Sequence, residues 1–83
     1  MPISVKVLYF GQAREAAGMG AEQVSLPGNS SVRTLLRRSI KAHQGLEAMS
    51  GAMRVAVNEV VAGEDDRLTE GDVVAFLPPV AGG

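Results

Sequence analysis

Two glycines, Gly82 and Gly83, close the 83-residue sequence behind Pro78-Pro79-Val80-Ala81. The group there with chemical potential is the backbone carboxylate of Gly83. A free carboxylate is a poor electrophile, but its acyl adenylate carries a good leaving group. A sulfur donor that displaces AMP from that adenylate leaves a thiocarboxylate, a soft and strong nucleophile. The residues before it suit such use. Pro78-Pro79 ends ladder pairing, and Pro78 to Gly83 can reach roughly 20 Å at ~3.3 Å per residue. Glycines lack Cβ, so Gly82 and Gly83 can enter a channel too narrow for side chains. The competing reading is a frayed terminus that does nothing. Composition and position alone leave both readings open.

Side chains offer less. There is no Cys and one His, which excludes a disulfide framework, a thiolate nucleophile and a Cys- or His-clustered metal site. No metal site is expected. Asp65-Asp66 reads as a solvated turn rather than an acid–base pair. His43, late in the main helix, reads as a surface residue or a partner of the helix C-terminal dipole. Arg33, Arg37, Arg38 and Lys41 read as the solvated side of that helix. Tyr9, Phe10 and Phe76 are too few to form a nucleic-acid stacking platform.

Composition is that of one small globular domain, with 46% hydrophobic and 20% charged residues. The net charge is −1, so no nucleic-acid partner is expected. No apolar run reaches the ~20 residues that span a bilayer, and no signal-peptide pattern opens the sequence. The expectation is a cytoplasmic protein without a membrane partner. Charge is unevenly spread: residues 1–58 hold seven basic against three acidic side chains, net +4, and residues 59–83 one against six, net −5. That acidic segment reads either as solvated loops or as a docking surface for a basic partner.

The elements follow from periodicity and breakers. Residues 3–10 are rich in β-branched and aromatic side chains and predict a strand ended by Gly11. Gln12 to Ala17 predict a short helix stopped by Gly18 and Gly20. Glu22 to Leu26 alternate as a second strand, closed by Pro27-Gly28-Asn29. Ser30 or Ser31 can cap the main helix, whose apolar stripe is Val32, Leu35, Leu36 and Ile40, with Gly45 as its stop. Val55-Ala56-Val57 and Val60-Val61 flank Asn58-Glu59 as a tight hairpin. A turn at Glu70-Gly71-Asp72 precedes an interior strand, Val73 to Leu77. The order predicts an α+β domain over 1–77, one helix across a mixed sheet, and an extended tail over 78–83. On the first strand Val5, Val7 and Tyr9 share one face and Lys6, Leu8 and Phe10 the other. Lysine is costly in a thin core, so Val5 and Val7 should be buried. Leu8 and Phe10 then project from the open face, which points to a partner interface.

The segments Val7-Leu8-Tyr9-Phe10-Gly11-Gln12-Ala13-Arg14-Glu15, Val57-Asn58, Leu68-Thr69-Glu70-Gly71-Asp72 and Phe76-Leu77-Pro78-Pro79-Val80-Ala81-Gly82-Gly83 carry a resemblance over essentially the whole chain. The sequence resembles the MoaD/ThiS family of sulfur carriers, and within it the small subunit of molybdopterin synthase. The resemblance implies a ubiquitin-like β-grasp fold with a flexible C-terminal Gly-Gly tail. It implies that an activating enzyme uses ATP to adenylate Gly83, that a persulfide-derived sulfur makes the thiocarboxylate, and that the tail then enters a large subunit. There sulfur would pass to cyclic pyranopterin monophosphate, in a heterotetramer of two small and two large subunits. No cofactor would be bound; the sulfur would ride covalently on Gly83. Catalytic side chains would belong to the large subunit, so this chain would be a carrier rather than an enzyme by itself. Phe10, Val61 and Leu77 match family positions that pack on the partner, Leu77 being often Phe there. Two alternatives stand beside this reading: a carrier for thiazole, cysteine or tRNA thiolation, and a ubiquitin-like modifier or binding module.

Overall fold

The computed structural model describes residues 1–79. Strand β1 (Ile3–Tyr9) runs into helix α1 (Gly11–Ala17), strand β2 (Ala21–Leu26) and helix α2 (Val32–Ala42). A 3-10 stretch, Gln44–Ala52, then leads to β3 (Arg54–Val57), β4 (Val60–Ala62) and β5 (Val73–Leu77). The sheet order is β2-β1-β5-β3-β4. Its central pair, β1 and β5, is parallel and the other pairs are antiparallel. With α2 packed on one side, this is the ubiquitin-like β-grasp of an α+β domain.

The core lies between that side of the sheet and the helices. Val5, Val7 and Tyr9 from β1 and Val74 and Phe76 from β5 are buried against Val32 and Leu35 of α2, with Leu26, Leu46 and Leu68 closing the ends. β1 thus resolves its two faces as the Lys6 argument requires: Lys6 is exposed and its neighbours Val5 and Val7 are fully buried. β5 is interior but buried on one face only, with Val74 and Phe76 inward and Val73 36% exposed.

Local chemistry explains most boundaries. Ser31 caps α2, its hydroxyl accepting from the Thr34 N–H at 3.2 Å. Gly18 ends α1 in the left-handed region, at φ +75°. The Asn58-Glu59 hairpin holds both turn residues at positive φ, +51° and +71°, as a type I′ turn requires. Two expectations need correction. β1 stops at Tyr9, because Phe10 becomes the N-cap of α1 and its carbonyl accepts the Ala13 and Arg14 N–H groups. Gly45 does not end α2, which stops at His43. Gly45 sits instead in the 3-10 stretch, where a Cβ would come within 3.2 Å of Ala16. A side chain there would press on Ala16, where that stretch lies close against α1.

Candidate functional site

The open side of the sheet is set by pairing register. Leu8 of β1 lies beside Ala75 of β5, Ala75 beside Ala56 of β3, and Ala56 beside Val61 of β4. Side chains of paired residues share a face, so these four form one apolar row across the sheet. At ~4.8 Å per strand the row runs about 14 Å. One step further along, Phe10 follows Tyr9 as Leu77 follows Phe76, the two being paired neighbours. Phe10 is 47% exposed and Val61 63% exposed, while Leu8 and Leu77 are half-buried. The fold therefore brings Leu8, Phe10, Val61 and Leu77 onto a single face, although they come from three strands and a helix cap. Small Ala56 and Ala75 make its floor low. A groove of about 400 Å³ lies there, lined by Leu8, Phe10, Asn58, Glu59, Val73 and Ala75.

The tail leaves from the same end. β5 finishes at Leu77, and Pro78 and Pro79 follow outside any strand, since neither can donate to a ladder. Pro78 is half-buried, its ring near Gly11, and Pro79 is exposed. Val80, Ala81, Gly82 and Gly83 lie outside the described residues.

A polar clamp shapes one wall of the groove. The Asn58 amide donates to Asp72 Oδ1 at 3.0 Å and its oxygen accepts the Val73 N–H at 3.0 Å. Asp72 also accepts the Thr69 N–H at 2.8 Å and the Thr69 hydroxyl at 3.1 Å. Burial of Asp72 opposes its charge, but these donors outweigh that and hold its pKa below the usual carboxylate value. Sequence reasoning missed this clamp. The available signal was Asn at a tight turn with Asp straight after Gly71.

The acidic segment is mostly used within the fold. Arg33 meets Glu64 at 3.1 Å and Asp65 at 2.7 Å. Asp66 accepts the Gly63 N–H, and Glu70 accepts the Ser4 N–H. Asp65-Asp66 is accordingly an exposed turn, and Glu59, on the groove rim, makes no ion pair among the described residues.

His43 is not the surface residue expected from its place late in α2. It occupies the C-cap position and turns inward, with Nε2 2.8 Å from Glu22 Oε2 and its ring edge-on to Tyr9. The Tyr9 hydroxyl donates to the same Glu22 oxygen at 2.5 Å. Burial, then the bond to Glu22, pushes the Tyr9 phenol well above its ordinary pKa. For Glu22 burial pulls upward, yet the bonds from Tyr9 and His43 leave it below its ordinary value. This cluster joins β1, β2 and the C-terminal end of α2. No group of three or more His, Cys, Asp or Glu among the described residues could hold a metal ion, and no described helix is long and apolar enough to cross a membrane.

Residues 7–83 match the ThiS family. The molybdopterin synthase sulfur carrier subunit of Escherichia coli (strain K12) is 38% identical over 82 residues, covering 95% of this chain and 99% of that protein. A chain from the protein–protein complex of subunits 1 and 2 of molybdopterin-converting factor from Helicobacter pylori 26695 matches with a TM-score of 0.66 and 29% identity, over 98% of this chain and 100% of that one. The small archaeal modifier protein 1 of Haloferax volcanii matches with a TM-score of 0.84 and 26% identity, over 94% of this chain and 99% of that one.

Proposed function

The chain belongs to the ThiS family, and from that footing we propose that it is the sulfur-carrier subunit of a molybdopterin synthase. The observation that carries the reading is the single apolar face holding Leu8, Phe10, Val61 and Leu77 at the root of a Pro-Pro-Val-Ala-Gly-Gly tail. A carrier has to do two things: dock by one surface and present one reactive atom beyond it. Here the docking surface and the tail exit are adjacent, so engaging the face directs the tail into whatever the partner holds next to it.

In the cycle the Gly83 carboxylate attacks the α-phosphorus of ATP on an activating enzyme, and pyrophosphate leaves. The outer sulfur of a persulfide displaces AMP from the acyl carbon, and a second thiol then cleaves the resulting acyl disulfide, releasing the thiocarboxylate and leaving a disulfide on the donor. The apolar face then seats on a large subunit, in a heterotetramer of two small and two large subunits. Residues Pro78 to Gly83 reach its active site and deliver sulfur to cyclic pyranopterin monophosphate. This chain supplies position and the acyl group; side-chain catalysis falls to the partner. The likeness to a chain from a two-subunit molybdopterin-converting complex supports the docking step.

Intact-mass measurement tests the chemistry. Incubation with the activating enzyme, ATP and a sulfur source should replace one terminal oxygen by sulfur, and deletion of Gly83 should abolish transfer to the pterin precursor. Undiminished transfer from the truncated chain would end the carrier reading. The likeness to an archaeal modifier favours a second reading, in which the same activated tail acylates lysines. Appearance of lysine conjugates in the same incubation without added sulfur would select it.

A further inference from the structure

An antiparallel ladder engages alternate residues of each strand, and the residues between point their backbone groups the other way. On β1, Ser4 and Lys6 send their N–H groups away from β2, to Glu70 Oε1 and to the Asp72 carbonyl, each at 2.9 Å. Ile3, Val5 and Val7 therefore serve β2 through Leu26, Val24 and Glu22. The intervening Ala21, Gln23 and Ser25 turn their backbone groups outward, along an edge that no strand covers. One of these groups is engaged: Arg38 Nη1 donates to the Ser25 carbonyl at 2.8 Å. The N–H groups of Gln23 and Ser25 have no acceptor among the described residues. The opposite edge is blunter. β4 has three residues, its tight hairpin leaves only Val61 facing outward, and Asp66 already takes the next N–H, that of Gly63. Unpaired edges of the β2 kind are templates for another strand.

Beside this edge a groove of about 270 Å³ runs between β2 and α2, with Val24 and Ser25 on one side and Arg38, Ser39 and Ala42 on the other. Its one acid, Glu22, is turned to Tyr9 and His43. Helix α2 contains no acidic residue. Arg33 is neutralised by Glu64 and Asp65, whereas Arg37, Arg38 and Lys41 make no ion pair among the described residues. Arg38 and Lys41, three apart on the helix, are neighbours on its surface.

We infer that the β2 edge is a second docking site, for an extended acidic segment of a partner protein. The segment pairs with Ala21, Gln23 and Ser25 as an added strand and turns its alternate carboxylates to the α2 side of the sheet, against Arg38 and Lys41, with its apolar row on the other side. Arg38 acts as a latch. A partner N–H takes over the Ser25 carbonyl, and the released guanidinium meets a carboxylate, the stronger of its two bonds. The site lies in the plane of the sheet, while the apolar row faces perpendicular to it, so both can be occupied at once. This inference does not depend on the sulfur-carrier reading.

The test is a titration of the full chain, ¹⁵N-labelled, with a capped synthetic peptide of alternating valine and glutamate, against its lysine counterpart. The acidic peptide should shift the amides of Ala21, Gln23 and Ser25 and protect Gln23 and Ser25 from hydrogen exchange. Affinity should fall with added salt and drop about tenfold or more in R38E. Should R38E fail to fold, K41E reverses a neighbouring charge that makes no hydrogen bond to β2. No binding, equal binding of the lysine peptide, or shifts confined to Leu8, Val73 and Ala75 would overturn the inference. So would concentration-dependent shifts of the β2 amides without peptide, which would mark pairing between two copies of this chain.

Discussion

Phe10 does two separate jobs with separate parts of itself. Its backbone carbonyl receives the first N–H groups of α1, while its ring, which makes no cap, stands on the open face. Replacing the ring by a carboxylate therefore tests docking without attacking the fold, because Asp is a favoured N-cap residue. Phe10→Asp should keep the melting temperature and weaken binding to a large-subunit partner by tenfold or more, about 1.4 kcal/mol or greater; calorimetric titration reads this directly. Glu22 and Asp72 govern the acid limb of stability. Both have folded-state pKa values below their ordinary 4.5 and 3.8, so the stability they contribute is complete above those values. It is lost as pH falls through the lower folded-state ones. Thermal melts from pH 6 downward should be level at first and then decline below about pH 4.5. Tyr9→Phe removes one donor to Glu22. It should lower stability at pH 7 by about 1 kcal/mol and flatten that decline.

Among the elements, the β3–β4 hairpin is where geometry and residue choice disagree. Glu59 holds a φ of +71°, a region costly for a residue with Cβ and natural for glycine. Asn58 tolerates its own positive φ and is tied down through Asp72 and Val73. Glu59→Gly should stabilise the domain by about 0.5 to 1 kcal/mol, the relief of strain exceeding the extra unfolded-chain entropy, as denaturant melts would register. Glu59 also stands on the rim of the Leu8–Phe10 groove. If that rim meets a basic group on the partner, the same variant binds more weakly and with a smaller salt dependence. A stabilised hairpin with unchanged affinity would assign Glu59 no part in docking.

At the scale of the whole molecule, the proposed division of labour assigns stability to the body and transfer to the tail. Among the described residues the core cluster draws on β1, β5, α1, α2, Val55 of β3 and the Leu26, Leu46 and Leu68 closures, and its last member is Phe76. Removing residues 80–83 should therefore change unfolding free energy by less than about 0.5 kcal/mol while abolishing sulfur transfer. A substantial loss of stability in the truncated chain would mean that the tail packs on the body. The open face stays largely apolar in a molecule of net charge −1 because Glu64, Asp65, Asp66, Glu70 and Asp72 are drawn into local bonds with Arg33, Gly63, Ser4 and Thr69, leaving Glu59 alone on its rim. Salt should accordingly affect affinity at the open face only weakly, and affinity at the β2 edge strongly.

Local rules made much of this legible in the linear chain. Lys6 between Val5 and Val7 decided which face of β1 is buried, because a charge cannot enter so thin a core. Asn58-Glu59 between valines located the hairpin, and Pro78-Pro79 the end of the last strand, since both depend on nearest neighbours only. Long-range pairing was not legible. That Val61 stands in line with Leu8 depends on two intervening strands and their registers. That His43 turns inward depends on Glu22, 21 residues away. Gly45 looked like a helix stop and instead lies against Ala16. Periodicity tells which way a side chain points from its own element. Only packing decides what stands opposite, and therefore which exposed side chains join into one face and which backbone edge is left unpaired.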